Sequence, residues 1–128
     1  GTFPIWHPET DLWMLELSTG KIDKMEETNG RYSDSYHSWS SNSQWIAFAS
    51  KRDDRVYGRP YFAHVSQDGS VSKAFLLPQE NPETYLNTFK SYNIPELYNT
   101  AETYDAHELQ KAYFGKEAEN LRYKSIKK

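Results

Sequence analysis

The sequence contains no cysteine, and that absence excludes several kinds of site at once. A chain without thiols forms no disulfide, binds no zinc or iron–sulfur cluster through thiolates, and has no cysteine nucleophile. It also lacks any apolar run near the roughly 18 residues that a membrane-spanning helix needs. Its 18 acidic and 15 basic residues give a formal net charge of -3. We therefore expect no transmembrane segment and no nucleic-acid partner held by bulk positive charge.

The sequence motifs of several enzyme classes are missing as well. There is no phosphate loop of the type G-x-x-x-x-G-K and no G-x-S-x-G nucleophile elbow. Asp34, His37 and Ser38 superficially resemble a catalytic triad. Neighbouring residues of a strand point to opposite faces, however, so Ser38 and His37 are not placed to share a proton. The other histidines lie far apart and show no ligand spacing: His7, His64 and His107. We predict no catalytic residue, no cofactor and no metal.

Aromatic residues are abundant, at 16% of the chain. Large flat side chains at this density suit sheets and interfaces better than helical bundles. From residue 11 to residue 78, short apolar segments alternate with turn residues, which predicts an antiparallel β domain. The predicted strands are 11–17, 21–27, 36–40, 45–50, 60–65 and 70–77. The first, DLWMLEL, is apolar at nearly every position and is predicted to be covered on both faces. The second is predicted to be more solvated, with Ile22 and Met25 facing inward.

Two of the predicted hairpins repeat each other. The strand at Trp13 precedes a turn at Gly20, and the strand at Tyr61 precedes a turn at Gly69. The two strands are 48 residues apart and the two glycines 49. Each glycine supplies the positive φ that a tight hairpin turn needs. A period in the forties with about four strands per repeat is typical of β-propeller blades.

After Pro78 the pattern changes to one that predicts helices. Asn81 is a suitable N-cap with proline next to it, and Tyr85, Phe89 and Tyr92 follow at helical spacing. A second helix is predicted to begin near Asp105, with Glu108 at the capping position three residues on. The lysine-rich end of the chain is predicted to be a helical or frayed surface tail.

The stretch YHSWSSNSQWIAFASKRDD and the following PYFAHVSQDGSV resemble the repeat of TolB-type β-propellers. In that family a strand ending in W-S is followed by a polar turn, W-I-A-F-x-S, R-D and D-x-G. The matching residues are Trp39, Ser40, Trp45, Ile46, Ala47, Phe48, Ser50, Arg52, Asp53, Asp68 and Gly69. The usual proline and glycine of the first turn are replaced by Ser41, Asn42 and Ser43, which also form turns. The resemblance covers residues 11 to 78, a little over half of the chain.

The resemblance implies an all-β fold of antiparallel β-propeller blades with a C-terminal α-helical extension. Residues 1–78 would hold about one and a half TolB-like blades, and residues 79–128 would form the extension. A closed propeller needs at least four blades. The remaining blades are therefore expected from the same longer chain or from another chain. TolB-like repeats belong largely to exported envelope proteins, so the resemblance implies a periplasmic or outer-envelope location. The visible N-terminus carries no secretory signal.

The candidate binding site is one face of loops. In an antiparallel blade, alternate connections emerge at the same end of the sheet, which brings together the loops 28–35 and 51–59. The candidate residues are Arg31, Asp34, His37, Arg52, Asp53, Asp54, Arg55, Tyr57 and Arg59. The alternative is that Arg52 and Asp53 pair locally and only stabilise the loop. His37 with Asp34 could hold a metal, although a hydrogen bond to a neighbouring blade is the simpler interpretation.

The predicted function is a non-enzymatic propeller scaffold that binds another protein or an envelope component. One alternative is the accessory propeller of a serine-peptidase-like protein. A further alternative is a carbohydrate-binding module, in which exposed aromatic rings stack on sugars. The aromatic candidates for that role are Trp6, Tyr57, Tyr61 and Tyr85.

Overall fold

The protein, described by a computed structural model for residues 4–100 and 105–115, contains two antiparallel sheets and one short helix near the C-terminus. A single 3-10 turn, Pro4–Trp6, precedes the sheets. The strands are β1 (Trp13–Leu15), β2 (Ile22–Lys24), β3 (Asp34–Trp39), β4 (Trp45–Ser50), β5 (Arg59–His64) and β6 (Phe75–Leu76). The helix α1 spans Ala106–Phe114. No closed barrel is formed by the strands in these two ranges.

The first sheet is the hairpin β1–β2, and its turn has the predicted geometry. Gly20 has a φ of 73°, and its N–H donates to the Glu16 carbonyl at 2.8 Å. The prediction that the first strand is covered on both faces is wrong for the described part of the chain. Trp13 and Leu15 are about half exposed, and only the opposite face packs inward. Ile22, predicted to face inward, is 62% exposed because it pairs with Leu15 on the outer face.

The second sheet is a meander in the order β3-β4-β5-β6. The β4–β5 pair is regular over six residues, and the predicted bounds of β4 are confirmed. The β3–β4 register shifts between Ser35 and Ser38, which marks a β-bulge. Tyr36 lies in this bulge with a φ of 52°. Just before the bulge, the Asp34 N–H donates to the Thr10 carbonyl at 2.8 Å, which joins the start of β3 to the segment before β1.

The hydrophobic core lies between the two sheets, which pack face to face. The hairpin contributes Leu12 and Met25, which flank its two strands. The four-stranded sheet contributes Ile46, Phe48, Tyr61, Ala63 and Val65. These side chains alternate along β4 and β5, as expected for one face of a strand. The apolar area that they bury fixes the hairpin against this face of the meander.

The opposite face of the meander is crossed by the chain that follows β6. Cross-strand pairs on this face place Ser35 opposite Ala49 and Ser38 opposite Ala47, so its centre carries small side chains. The extension can therefore approach closely. The Tyr92 N–H donates to the Gly58 carbonyl at one end of the sheet, and the Ser38 hydroxyl donates to the Pro95 carbonyl nearer the other end.

The prediction of a helix from Asn81 through Tyr92 is wrong, because this segment forms no helix. Asn81 does cap a turn, because its side chain accepts from the Glu83 N–H at 2.9 Å, but the turn ends within a few residues. The carbonyl of Tyr85, which would accept the next helical hydrogen bond, instead accepts from the Arg59 guanidinium at 2.6 Å. Phe89 is consequently 88% exposed, whereas Tyr85 is buried.

The second predicted helix is confirmed as α1. The Asp105 side chain accepts from the Glu108 N–H at 2.7 Å, as an N-cap does. The predicted lysine-rich tail falls largely on residues 116–128, outside the described residues, as do 101–104 of the extension. Within the described ranges no helix is long and apolar enough to cross a membrane.

Candidate functional site

The two predicted loops do meet, and Arg52 joins them. Its Nη2 atom donates to Asp34 Oδ1 and to the Thr28 carbonyl, each at 2.8 Å. Its Nε atom donates to the Ser50 hydroxyl, also at 2.8 Å. The Asp34 side chain is completely buried, and its second oxygen accepts from the Gly30 N–H at 2.5 Å. This ion pair satisfies both charges and holds loop 28–35 against the end of β4.

Arg52 also stacks on the ring of Tyr61, and the hydroxyl of Tyr61 is hydrogen-bonded to Asp53. The guanidinium carbon lies 4.4 Å from the centre of the Tyr61 ring, within the range of a cation–π interaction. The Tyr61 hydroxyl donates to Asp53 Oδ1 at 2.8 Å. Burial, together with this hydrogen bond, raises the pKa of Tyr61 well above its ordinary value. The expected local pair of Arg52 with Asp53 is therefore not what the structure contains, because each pairs with a different side chain.

Arg59 and Asp54 form a second group, which anchors the extension. Arg59 is nearly buried, and its guanidinium donates to the carbonyls of Tyr85, Thr88 and Lys90. Its Nη2 atom lies 3.4 Å from Asp54 Oδ2. Burial raises the pKa of Asp54, but the N–H groups of the next residues and Arg59 outweigh it, so the pKa lies below its ordinary value.

Arg31 and Arg55 form a third group around one tyrosine. Their guanidinium carbons lie 5.7 and 4.6 Å from the centre of the Tyr32 ring. A cavity of about 220 Å³ opens beside this ring, between the loops and the N-terminal turn. It is lined by Ile5, Trp6, Pro8, Tyr32, Ser33, Lys51 and Arg55. Arg55 has a φ of 65°, a left-handed conformation that is uncommon for a residue with a side chain.

His37 lies away from these groups. It is exposed and lines a cleft of about 200 Å³ between β1 and the C-terminal half of β3. Asp34 is engaged by Arg52, so the considered pairing of His37 with Asp34 around a metal is not formed. Among the described residues no group of three or more histidines and carboxylates could hold a metal ion.

The aromatic candidates for sugar stacking are likewise dispersed. Tyr61 and Tyr85 are buried, with exposures of 6% and 8%, so their faces are not accessible for stacking. Tyr57 is half-buried, with its ring 5.1 Å from the Arg59 guanidinium carbon and 6.2 Å from the Phe89 ring. Trp6 is exposed at the mouth of the cavity beside Tyr32.

Several residues of this cavity were not predicted from the sequence, and the two that bear on its chemistry are Tyr32 and Lys51. The signal for Tyr32 was available, because it is the only aromatic residue in the polar loop TNGRYSDS and follows Arg31 directly. Lys51 adjoins Arg52, but nothing in the sequence indicates that their side chains diverge. The contribution of the N-terminal turn depends on its contact with β3, which is not visible in sequence.

Comparison of the chain with protein-family models, with curated proteins and with solved structures gives no match. The likeness to TolB-type propellers therefore stays a prediction from the residues quoted above. Three groups of contacts describe the loop face: a buried ion pair at Arg52, an anchor for the extension at Arg59, and an accessible cationic cavity at Tyr32.

Proposed function

We propose that this chain is part of a non-enzymatic β-propeller scaffold that binds another protein or an envelope component. In this proposal β3–β6 form one blade, and the hairpin β1–β2 is the second half of the preceding blade. The face-to-face packing of the hairpin on the meander supports the arrangement, because neighbouring blades of a propeller stack in that way. The opposite face is crossed by the extension, so a next blade would pack against the extension as well as the sheet.

The observation that carries the proposal is the outer face of the hairpin, formed by Trp13, Leu15 and Ile22. These side chains are 59%, 50% and 62% exposed, and Leu15 pairs directly with Ile22 across the hairpin. Trp13 and Leu15 continue into the cleft that His37 lines. Contiguous exposed apolar side chains of this kind mark surfaces that another protein segment covers.

The free edge of β1 points to the kind of segment that would cover this face. Among the described residues β1 pairs only with β2, so its other edge offers unpaired N–H and carbonyl groups. An apolar strand with an open edge recruits a further strand. The strand would come from the remaining blades or from a bound partner.

The test is the association state of the 128-residue chain, with a second copy as the probe for the hairpin face. We expect concentration-dependent association in sedimentation equilibrium, because each open β1 edge can pair with another. Leu15→Lys places a charge on this edge and should leave a monomer. Leu86→Lys is the matched control, because Leu86 is 84% exposed in the extension and away from the hairpin. A monomeric wild type at all concentrations would overturn the use of this face in binding.

The cellular location belongs to the same proposal. The resemblance to TolB-type repeats predicts the periplasm or the outer envelope. Fractionation of the native source with an antibody against this chain should recover it in the envelope fractions, and recovery in the cytoplasm would contradict the prediction.

A further inference from the structure

We propose that the cavity beside Tyr32 binds an acidic segment of a partner protein and takes one aromatic side chain of that segment. This cavity, the Tyr32 pocket, is lined by Ile5, Trp6, Pro8, Tyr32, Ser33, Lys51 and Arg55. The inference rests on the proposed binding of a protein and specifies the chemistry of one such contact. It concerns a different surface from the hairpin face, so the two can fail separately.

On the loop face the acidic side chains have partners within the chain, whereas several described basic side chains have no carboxylate partner, and this difference favours an anionic ligand. The acidic side chains of the two loops already have partners: Asp34 pairs with Arg52 and Asp54 with Arg59. Asp53 accepts a hydrogen bond from the uncharged Tyr61 hydroxyl. Two basic side chains that line the pocket, Lys51 and Arg55, have no carboxylate within salt-bridge distance in the described part of the chain. The same holds for Arg31, which does not line the pocket but lies against the ring of Tyr32. Glu9, the acid of the N-terminal turn segment, instead lies 3.4 Å from His7.

Two of these cations, Arg31 and Arg55, lie beside the same ring although the chain as a whole is acidic. Both arginines approach the ring of Tyr32, and Arg55 has a left-handed φ of 65° in a turn where its N–H donates to the Lys51 carbonyl. Like charges placed together repel each other, and carboxylates from a partner relieve that repulsion. A guanidinium presents two parallel N–H groups to a carboxylate, which makes such pairs directional as well as strong.

The apolar part of the pocket explains why the segment should also carry an aromatic residue. Ile5 forms a buried floor, and Trp6 and Pro8 stand beside it. A volume of about 220 Å³ accommodates one large side chain rather than a sugar chain or a run of bases. Apolar burial would supply affinity, and the flanking carboxylates would set orientation and specificity.

A polyanion such as nucleic acid is the less favoured ligand. The net charge of -3 repels a long phosphate backbone, and near the Tyr32 pocket only three described cations without a carboxylate partner oppose it. Affinity for nucleic acid comes largely from phosphate contacts with lysine and arginine side chains, and roughly 6–10 such contacts occur in a strongly salt-dependent binder. A short acidic peptide can be bound by the few basic side chains in and beside the pocket alone.

The experiment is fluorescence anisotropy of the full chain with a labelled probe peptide, Glu-Glu-Phe-Glu-Glu, at low salt. We expect saturable binding that weakens as salt rises, and no binding of Lys-Lys-Phe-Lys-Lys. Arg55→Gly should weaken binding by about tenfold, since a charge-assisted hydrogen bond is lost. Glycine adopts the φ of this position without strain, so this variant should fold normally. Arg31→Glu should weaken binding at least as much.

Lys73→Glu is the matched control, because Lys73 is exposed and lies outside the pocket. It should leave affinity unchanged although it alters net charge by the same amount as Arg31→Glu. Equal weakening by both variants would overturn the inference, as would equal affinity for an oligonucleotide or an absence of peptide binding. Leu15→Lys should keep peptide binding while it abolishes self-association, which separates this inference from the hairpin face.

Discussion

Removal of the Arg52 guanidinium should destabilise the fold more than the loss of any exposed arginine. In the native structure it neutralises the buried Asp34 carboxylate and satisfies the Thr28 carbonyl. The substitution Arg52→Met keeps much of the side-chain volume and removes all of these interactions. In the described residues Asp34 is then left with one donor, the Gly30 N–H.

The expected magnitude follows from the burial of Asp34, whose side chain has no exposure to solvent. Removal of one partner of a buried ion pair lowers the free energy of unfolding by about 3–5 kcal/mol, because the other charge stays uncompensated in the interior. A domain of this size has a total stability of about 5–15 kcal/mol, so the variant should lose a large part of it. The double variant with Asp34→Asn should recover about 1 kcal/mol or more, because the buried group is then neutral.

The assay is urea denaturation followed by tryptophan fluorescence, compared between variants as the free energy of unfolding. Arg31→Met is the matched control, because this arginine is exposed and its guanidinium lies beside the ring of Tyr32 rather than against a buried carboxylate. We expect a change within about 0.5 kcal/mol for the control. Equal losses in Arg52→Met and Arg31→Met, or no recovery in the double variant, would refute the argument that a buried ion pair joins the loops.

Three further predictions concern the same end of the sheet. Arg59→Met should make the extension more sensitive to limited proteolysis at 79–95 while β3–β5 stay protected, because three of its backbone carbonyls lose their donor. Gly58→Ala should have a similar but smaller effect, since a Cβ there would lie 3.1–3.3 Å from atoms of the extension. Because burial and Asp53 raise the pKa of Tyr61, the folded state keeps a proton that the unfolded state loses above about pH 10. The free energy of unfolding should therefore fall as pH rises through that range, and Tyr61→Phe should reduce the slope in urea titrations.

The elements that local sequence determines were predictable. The hairpin glycines both have positive φ, the strand Trp45–Ser50 has the predicted bounds, and Asp105 caps a helix. In each case the signal lies within a few residues: a turn glycine, an alternating apolar pattern or a capping side chain. The shared location of loops 28–35 and 51–59 also followed from the order of strands in an antiparallel sheet.

The rest depended on contacts between distant parts of the chain. Aromatic residues do follow Asn81 at helical spacing. The Tyr85 carbonyl, which would accept a hydrogen bond within that helix, instead accepts from the Arg59 guanidinium. DLWMLEL contains no alternation that distinguishes its covered face from its exposed one, so the exposure of Trp13 and Leu15 could not be read from it. The partner of Arg52 is likewise a residue 18 positions away, rather than its neighbour Asp53.

Native mass spectrometry of the protein from its natural source tests the propeller proposal most directly. Four blades of about 40–45 residues require a particle of roughly 20 kDa or more, whereas this chain has a mass of 15.0 kDa. The account predicts either a longer chain that contains further copies of the strand-turn-strand repeat or a stable assembly of several chains. A monomeric particle of 15.0 kDa would contradict it.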